Sequence, residues 1–260
     1  MPELPDLQVF SINLKKRICN KKISSFDLYI PKNCNVDANE LSNIIIGNEI
    51  DNIYRSGKEL YFQLKDTTQF SVHLMLHGRF EVCSTDETQK IKHKILSFDF
   101  DGGESLAITD FQKICKITFN PPQNTVPDAL GSDFTYAYFE EIALSNSKKN
   151  IKAFLIDQNI VRGIGNAYAD EILWKANISP ESVVGKIPKE NLHTIYEAIG
   201  IILKNAIESI QTISPNIIAG EERSFLNVHR KTVTEDGEPV ICKKIASKST
   251  YYIEKQQLFA

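Results

Sequence analysis

The 260-residue chain has one tryptophan, two methionines and five scattered cysteines (Cys19, Cys34, Cys83, Cys115, Cys242), with no Cys-x-x-Cys pair among them. An odd number of widely spaced thiols excludes a disulfide framework, and without paired spacing they build no zinc site, so no metal and no cofactor are expected. No run approaches the ~20 apolar residues of a membrane helix, and the N-terminus lacks the basic-then-apolar plan of a secretory signal. These absences point to an intracellular, cytoplasmic protein with reduced thiols and no membrane contact, expected to be a monomer. A strong charge of one sign is missing too. The net charge of −3 does not advertise a nucleic-acid binder. Distribution says more than the sum: from Arg223 onward there are seven basic residues against four acidic ones, a mild excess compatible with a phosphate-facing element or simply a solvated face.

What is present begins at the N-terminus, Met1-Pro2-Glu3-Leu4-Pro5. Removal of Met1 would make Pro2 a secondary amine able to attack an aldehyde-like carbon and form an iminium. Terminal amines as a class hold their proton less tightly than lysines, at about 7.7–8.0 against about 10.4, which suits a nucleophile at neutral pH. Glu3, one residue away, could move protons at the same centre. The same residues also suit a helix start, where a proline costs no hydrogen bond and a glutamate complements the dipole.

Apolar residues Leu7, Phe10, Leu14 and Ile18 predict an opening helix over residues 7–18. Strand-like segments follow at 23–30, 44–54, 59–64, 70–75, 79–82, 95–100, 106–108 and 114–119, separated by Gly, Asn and Asp turns. They predict a sandwich or a barrel-like sheet pair. A proline-rich stretch after residue 120 is the natural linker. Helices are predicted over 138–144, 150–156, 166–176 and 189–213, and strands over 227–233, 238–245 and 249–253 with Asp236-Gly237 as a hairpin signal. The expected fold is therefore α+β and multi-domain, divided as 1–122, a linker 123–134, a helical part 135–222 and a terminal part 223–260.

The segment Gly163-Ile164-Gly165-Asn166-Ala167-Tyr168-Ala169-Asp170-Glu171 joins two of these helices. Its glycines allow a tight turn close to another surface, and Asn166 opens the next helix beside free backbone N–H groups, a phosphate-holding arrangement. A pair of ordinary helix caps would read the same way.

Together, Pro2-Glu3-Leu4-Pro5 and Gly163-Ile164-Gly165-Asn166-x-Tyr168-Ala169-x-Glu171 resemble the formamidopyrimidine-DNA glycosylase and endonuclease VIII family, over essentially the whole chain. The resemblance implies an N-terminal β-sandwich, a helix-two-turns-helix domain and a C-terminal β-hairpin finger. It implies base-excision repair of oxidised bases in double-stranded DNA, with abasic-site lyase activity by β,δ-elimination. Pro2 matches the family's nucleophile, Glu3 its acid/base and Lys58 a lysine on a β-turn that reaches the DNA near the lesion. His73-Leu74-Met75-Leu76-His77-Gly78 resembles the family's His-Leu-Gly-Met-Ser-Gly, so His73 matches a phosphate contact and Leu76 the filler of the gap left by an extruded base. Lys152 and Asn166 are further phosphate candidates. A rival reading is a member of the same fold that binds damaged DNA without cutting it.

The chain departs from that family in several places. Only Cys242 stands where the family has two Cys-x-x-Cys pairs, with Ile253 and Gln256 in place of the second pair. A zincless finger packed on Ile241, Ile245, Tyr251 and Tyr252 is expected, with Lys248 in place of a phosphate-binding arginine. Thr109-Asp110-Phe111-Gln112-Lys113-Ile114 resembles the family's Asp-Pro-Arg-Arg-Phe, placing Gln112 and Ile114 as the opposite-base and wedge residues, with Lys113 between them as a DNA-facing candidate. The short path from Pro215 to Phe225 leaves little room for a loop over 8-oxoguanine, favouring ring-opened purines or oxidised pyrimidines. Asp6 replaces a common glutamate, a change to which the sequence attaches no consequence.

Overall fold

A computed structural model describes residues 1–260. The elements in chain order are α1 (Leu4–Ile18), β1 (Ile23–Leu28), α2 (Ala38–Ile45), β2 (Ile50–Ser56), β3 (Glu59–Leu64), β4 (Gln69–His73), β5 (Arg79–Ser84), the single turn α3 (Thr85–Thr88), β6 (Lys94–Phe100), β7 (Glu104–Thr109) and β8 (Lys116–Phe119). There follow α4 (Tyr136–Ser145), α5 (Ile151–Ile156), α6 (Asn166–Lys175), α7 (Lys189–Ile213), β9 (Val240–Ile245) and β10 (Lys248–Ile253). They form two compact units, one of residues 1–123 with 210–222, the other of residues 124–209 with 223–260. The expected four-part division differs here: the finger belongs with the helical unit, and the segment after α7 belongs with the first. No helix is long and apolar enough to cross a membrane.

The first unit is a sandwich of two antiparallel four-stranded sheets, ordered β1-β6-β7-β5 and β2-β3-β4-β8. Alternation along each strand sends one face inward, and phenylalanines from both sheets meet there. Phe62 of β3 lies 5.9 Å from Phe80 of β5, and Phe70 of β4 lies 5.5 Å from Phe98 of β6, ring centre to ring centre. Helix α1 covers this core with Leu7, Phe10, Leu14 and Ile18, the positions its spacing predicts, all essentially inaccessible. Ile217 and Ile218 pack on the same core, and the Asn13 side chain donates to the Ile217 carbonyl at 2.9 Å. That anchors the short segment leading to Gly220 and Glu221.

One expected strand is a helix in part. Residues 44 and 45 end α2, because Asp37 caps it by accepting from the Asn39 N–H at 2.8 Å and because Leu41 and Ile45, four apart, face the core. The β-branched run Ile44-Ile45-Ile46 reads as strand only when its upstream cap is ignored.

In the second unit α7 carries a buried stripe of Leu192, Ile195, Ile199, Leu203 and Ala206 at three-four spacing. Strands β9 and β10 pair from Lys248↔Ile245 to Ile253↔Val240, turning through Ala246 and Ser247, both at positive φ. The Asp236-Gly237 signal sits in a smaller turn upstream, closed by the isolated bridge Val233↔Pro239. Residues 227–233 are not a strand. The N–H groups of Asn227, Val228 and His229 donate to the Glu171 carboxylate at 2.8–2.9 Å instead of to a ladder.

Candidate functional site

In the first unit the chain enters α1 through Pro2 and Glu3, both buried. Asp6, fully buried, accepts from the Glu3 N–H at 2.9 Å, so a carboxylate in the first turn fixes the Glu3 backbone. This gives the Asp6 substitution a structural role. Pro2 lines a cavity of about 360 Å³ together with Leu76, His77, Gly78, Arg79, Phe111, Gly220 and Glu221. The Met1 ammonium pairs with the Glu221 carboxylate at its edge.

Lys58 lies on the two-residue turn between β2 and β3, where Ser56 pairs with Glu59. Arg55 braces that turn, its Nη1 donating to the Gly57 carbonyl at 3.2 Å and its Nε to the Gln8 side chain on α1 at 3.1 Å. A long side chain on a braced turn projects from a fixed origin.

His73 ends β4, and its Nδ1 accepts from the Met75 N–H at 3.0 Å, which leaves Nε2 as the donor. Burial pushes the imidazole below its ordinary pKa; Glu59 opposes this and Lys58 adds to it. The fold therefore favours neutral His73, and the stability this contributes is present above the ordinary histidine value and lost as pH falls through the lowered one. The next turn closes when the Gly78 N–H donates to the Leu74 carbonyl at 2.8 Å. A Cβ at Gly78 would lie 2.3 Å from that oxygen, so only glycine fits. The turn is so tight that Leu76 is thrown outward, 53% exposed.

The segment after β7 is built on Asp110. Its buried carboxylate accepts from the N–H groups of Gln112, Ile114 and Cys115 at 2.8–3.0 Å, and Lys113 takes a positive φ. Burial, with Asp110 beside it, raises the Cys115 thiol to about 12, so that sulfur is inert. Gln112 and Ile114 sit on this turn, so the expected strand 114–119 begins only at Lys116, and Phe111 is the more exposed apolar side chain, at 58% against 37% for Ile114.

In the second unit the turn before α6 is held by one side chain. Gln158 accepts from the Gly163 N–H at 2.9 Å and donates to the carbonyls of Ile156 and Ile164, both at 2.8 Å, while Gly163 takes φ +104°. Gly165 is the cap position and Asn166 the first helical residue. The Asn166 amide nitrogen donates to the Ser249 carbonyl at 2.8 Å, and its Oδ1 is buried without a partner.

Lys152 is placed differently from the expectation of a phosphate contact. Its side chain is fully buried, paired with the equally buried Asp170 and donating to the Asn166 carbonyl at 2.7 Å. An ammonium enclosed in this way cannot reach a phosphate outside, and its role is to hold the α5, α6 and Asn166 backbones together. Asp170 is shared with His229, whose Nδ1 lies 2.7 Å from Oδ2 and whose ring meets Tyr251 of β10 at 5.0 Å. Lys248, in contrast, is exposed at the start of β10.

Residues 1–117 match the formamidopyrimidine-DNA glycosylase N-terminal domain and residues 126–216 its H2TH domain. The formamidopyrimidine-DNA glycosylase of Lactococcus lactis is 31% identical over 267 positions, covering 97% of each chain. The chain belongs to the formamidopyrimidine-DNA glycosylase family. That of Carboxydothermus hydrogenoformans is also 31% identical, over 97% of this chain and 98% of its own. Among solved structures, Lactococcus lactis Fpg in complex with abasic-site DNA superposes with a TM-score of 0.87 at 27% identity, over 98% of this chain and all of that one. A complex of the same protein with THF-DNA and an inhibitor gives 0.88 at 28% identity, over 98% of this chain and 99% of that one.

A glycosylase of this family with a metal finger would bind zinc here, and the residues present do not fit it. No three His, Cys, Asp or Glu side chains converge on a metal-sized site. Ile253 is core, and Gln256 acts as a hydrogen-bonded plug, accepting from the Ile253 N–H at 2.9 Å and donating to the Ile178 carbonyl at 2.7 Å. Of the residues expected to pack the finger, Ile245 is buried, as is Ile253, while Ile241, Tyr251 and Tyr252 are only half-buried. Tyr252 donates its hydroxyl to Glu181 at 3.3 Å. The braces Gln158, Asp110, Glu171 and Gln256 escaped the sequence reading because a buried polar bracket leaves no periodic signature. Phe111 and His77 could have been noticed as departures from the family's Pro and Ser.

Proposed function

We propose that this chain is a base-excision-repair DNA glycosylase with abasic-site lyase activity on oxidised bases, ring-opened purines or oxidised pyrimidines, in double-stranded DNA. The observation that carries the reading is Pro2 at the wall of a cavity large enough for a small organic group, with Glu3 next in the chain. A base stacked in a duplex cannot be reached, so the nucleotide is extruded at a cost of a few kcal/mol, least for damaged bases. Leu76 suits the gap, with Gln112 and Ile114 facing the opposite strand. Removal of Met1 frees the Pro2 nitrogen. It attacks C1′, the bond to the base breaks, and Glu3 moves the proton that opens the sugar ring, leaving an iminium. The iminium acidifies the C2′ proton; its loss expels the 3′ phosphate, a second elimination expels the 5′ phosphate, and water releases the remaining sugar fragment from Pro2.

His73, Lys58, Asn166, Lys113 and Lys248 are the proposed DNA contacts, and they differ in kind. Replacing Lys248 by Ala removes one exposed cation and will lower the salt slope of binding by about 0.9, without sequence preference. His73→Ala will weaken binding at pH 7.5 with the slope unchanged, because a neutral Nε2–H donates a hydrogen bond and releases no counterion. Equal slopes for Lys248→Ala and the parent would mean the finger is not seated on DNA.

The activity itself is tested on a duplex with one oxidised base. The expected result is a single-nucleotide gap bearing phosphate at both ends. Tight, lesion-selective binding without cleavage by chain freed of Met1 would support the non-cutting reading instead.

A further inference from the structure

The cavity lined by Pro2 has an aromatic wall for which the proposed chemistry has no use so far. His77 and Phe111 bring their ring centres within 4.6 Å at an angle of 43°, and both line the same cavity as Pro2. Neither ring is held by a loose loop: His77 precedes the glycine of the closed Leu74–Gly78 turn, and Phe111 follows Asp110, whose carboxylate accepts from three N–H groups of its own turn. Phe111 nonetheless leaves more than half its surface in water. An exposed phenylalanine on a rigid turn contributes little to the core, and this one is a flat apolar group lining the same cavity as Pro2.

A nucleobase has two such faces, and stacking is indifferent to which base it is. A nucleotide whose C1′ is within reach of Pro2 carries its base a bond length further on, into the space these rings border. We propose that His77 and Phe111 form a stacking shelf for the base of the extruded, damaged nucleotide, and so act in binding that base before its bond is broken. The shelf rests on the glycosylase reading and adds a feature where this chain has Phe and His in place of the family's Pro and Ser. It also predicts tolerance: several oxidised bases of different edge pattern share a flat face, whereas a non-planar saturated base stacks less well.

The test compares two substrates that differ only in the base. Single-turnover rates are measured on a duplex carrying a ring-opened purine and on the same duplex carrying a pre-formed abasic site, which has no base to stack. For Phe111→Ala the ratio of base excision to abasic-site cleavage is expected to fall about ten- to a hundredfold, the range of one lost base–aromatic stack. Phe111→Tyr, which keeps the ring, restores the ratio, and His77→Ser lowers it less. Equal losses on both substrates would make Phe111 a contact to the duplex as a whole and overturn the shelf, as would an unmoved ratio. A parent protein inert on both substrates would overturn the glycosylase reading and the shelf with it, whereas an active parent with an unmoved ratio overturns the shelf alone.

Discussion

Glu3→Gln will lower the single-turnover rate of base excision by about 10²–10⁴-fold, the usual contribution of a positioned acid/base. The glutamine keeps the shape of a side chain that is 5% exposed and leaves intact the backbone bond from the Glu3 N–H to Asp6. What it removes is the ability to take and return a proton beside Pro2. The loss should fall on the rate at saturating enzyme and leave the Kd for lesion DNA within a few-fold. A variant with an unchanged rate and weakened binding would make Glu3 a helix-capping residue and nothing more.

The largest effect on stability is expected at Asp170. This fully buried carboxylate joins Lys152 on α5 to His229 before the finger. Asp170→Ala removes the paired carboxylate from a fully buried ammonium, and breaking such a pair costs about 3–5 kcal/mol. In a unit of this size that is a fall of roughly 10–20 °C in melting temperature. The double variant Asp170→Leu/Lys152→Met should be far milder, because it removes both buried charges together and keeps the volume. Thermal unfolding of the single and double variants checks this, and a double variant as unstable as Asp170→Ala would contradict the pairing. DNA affinity should fall in Asp170→Ala as well, since the Asn166 carbonyl and the His229–Tyr251 contact depend on the same carboxylate.

The sequence reveals those features that repeat. The period of α1 and α7, the alternation of the sandwich strands and the order of the two family motifs are written in residue types at fixed intervals, and the structure reproduces α7 from Lys189 to Ile213. Pro2, Leu76 and Asn166 stand out in the sequence for the same reason, as members of motifs. What stays hidden is long-range and polar. Glu171 reads as a helix residue in the motif, yet its carboxylate gathers the N–H groups of 227–229 from over fifty residues away and turns an expected strand into a bracket. Lys152 looks like a surface lysine until Asp170, eighteen residues on, encloses it. Its partner could be guessed only from the helical turn that brings α5 and α6 together. Ile44 to Ile46 misled because β-branched residues favour strands, and the Asp37 cap outweighed that preference.

The proposed chemistry turns on the nitrogen of Pro2. Chain with Met1 removed, confirmed by intact mass, should be incubated with abasic-site duplex in the presence of borohydride, and the adduct digested and mapped by mass spectrometry. A reduced sugar fragment carried on the Pro2 nitrogen, absent from chain that retains Met1, is the predicted result. An adduct on a lysine side chain, or none from processed chain that binds the same duplex tightly, would contradict it.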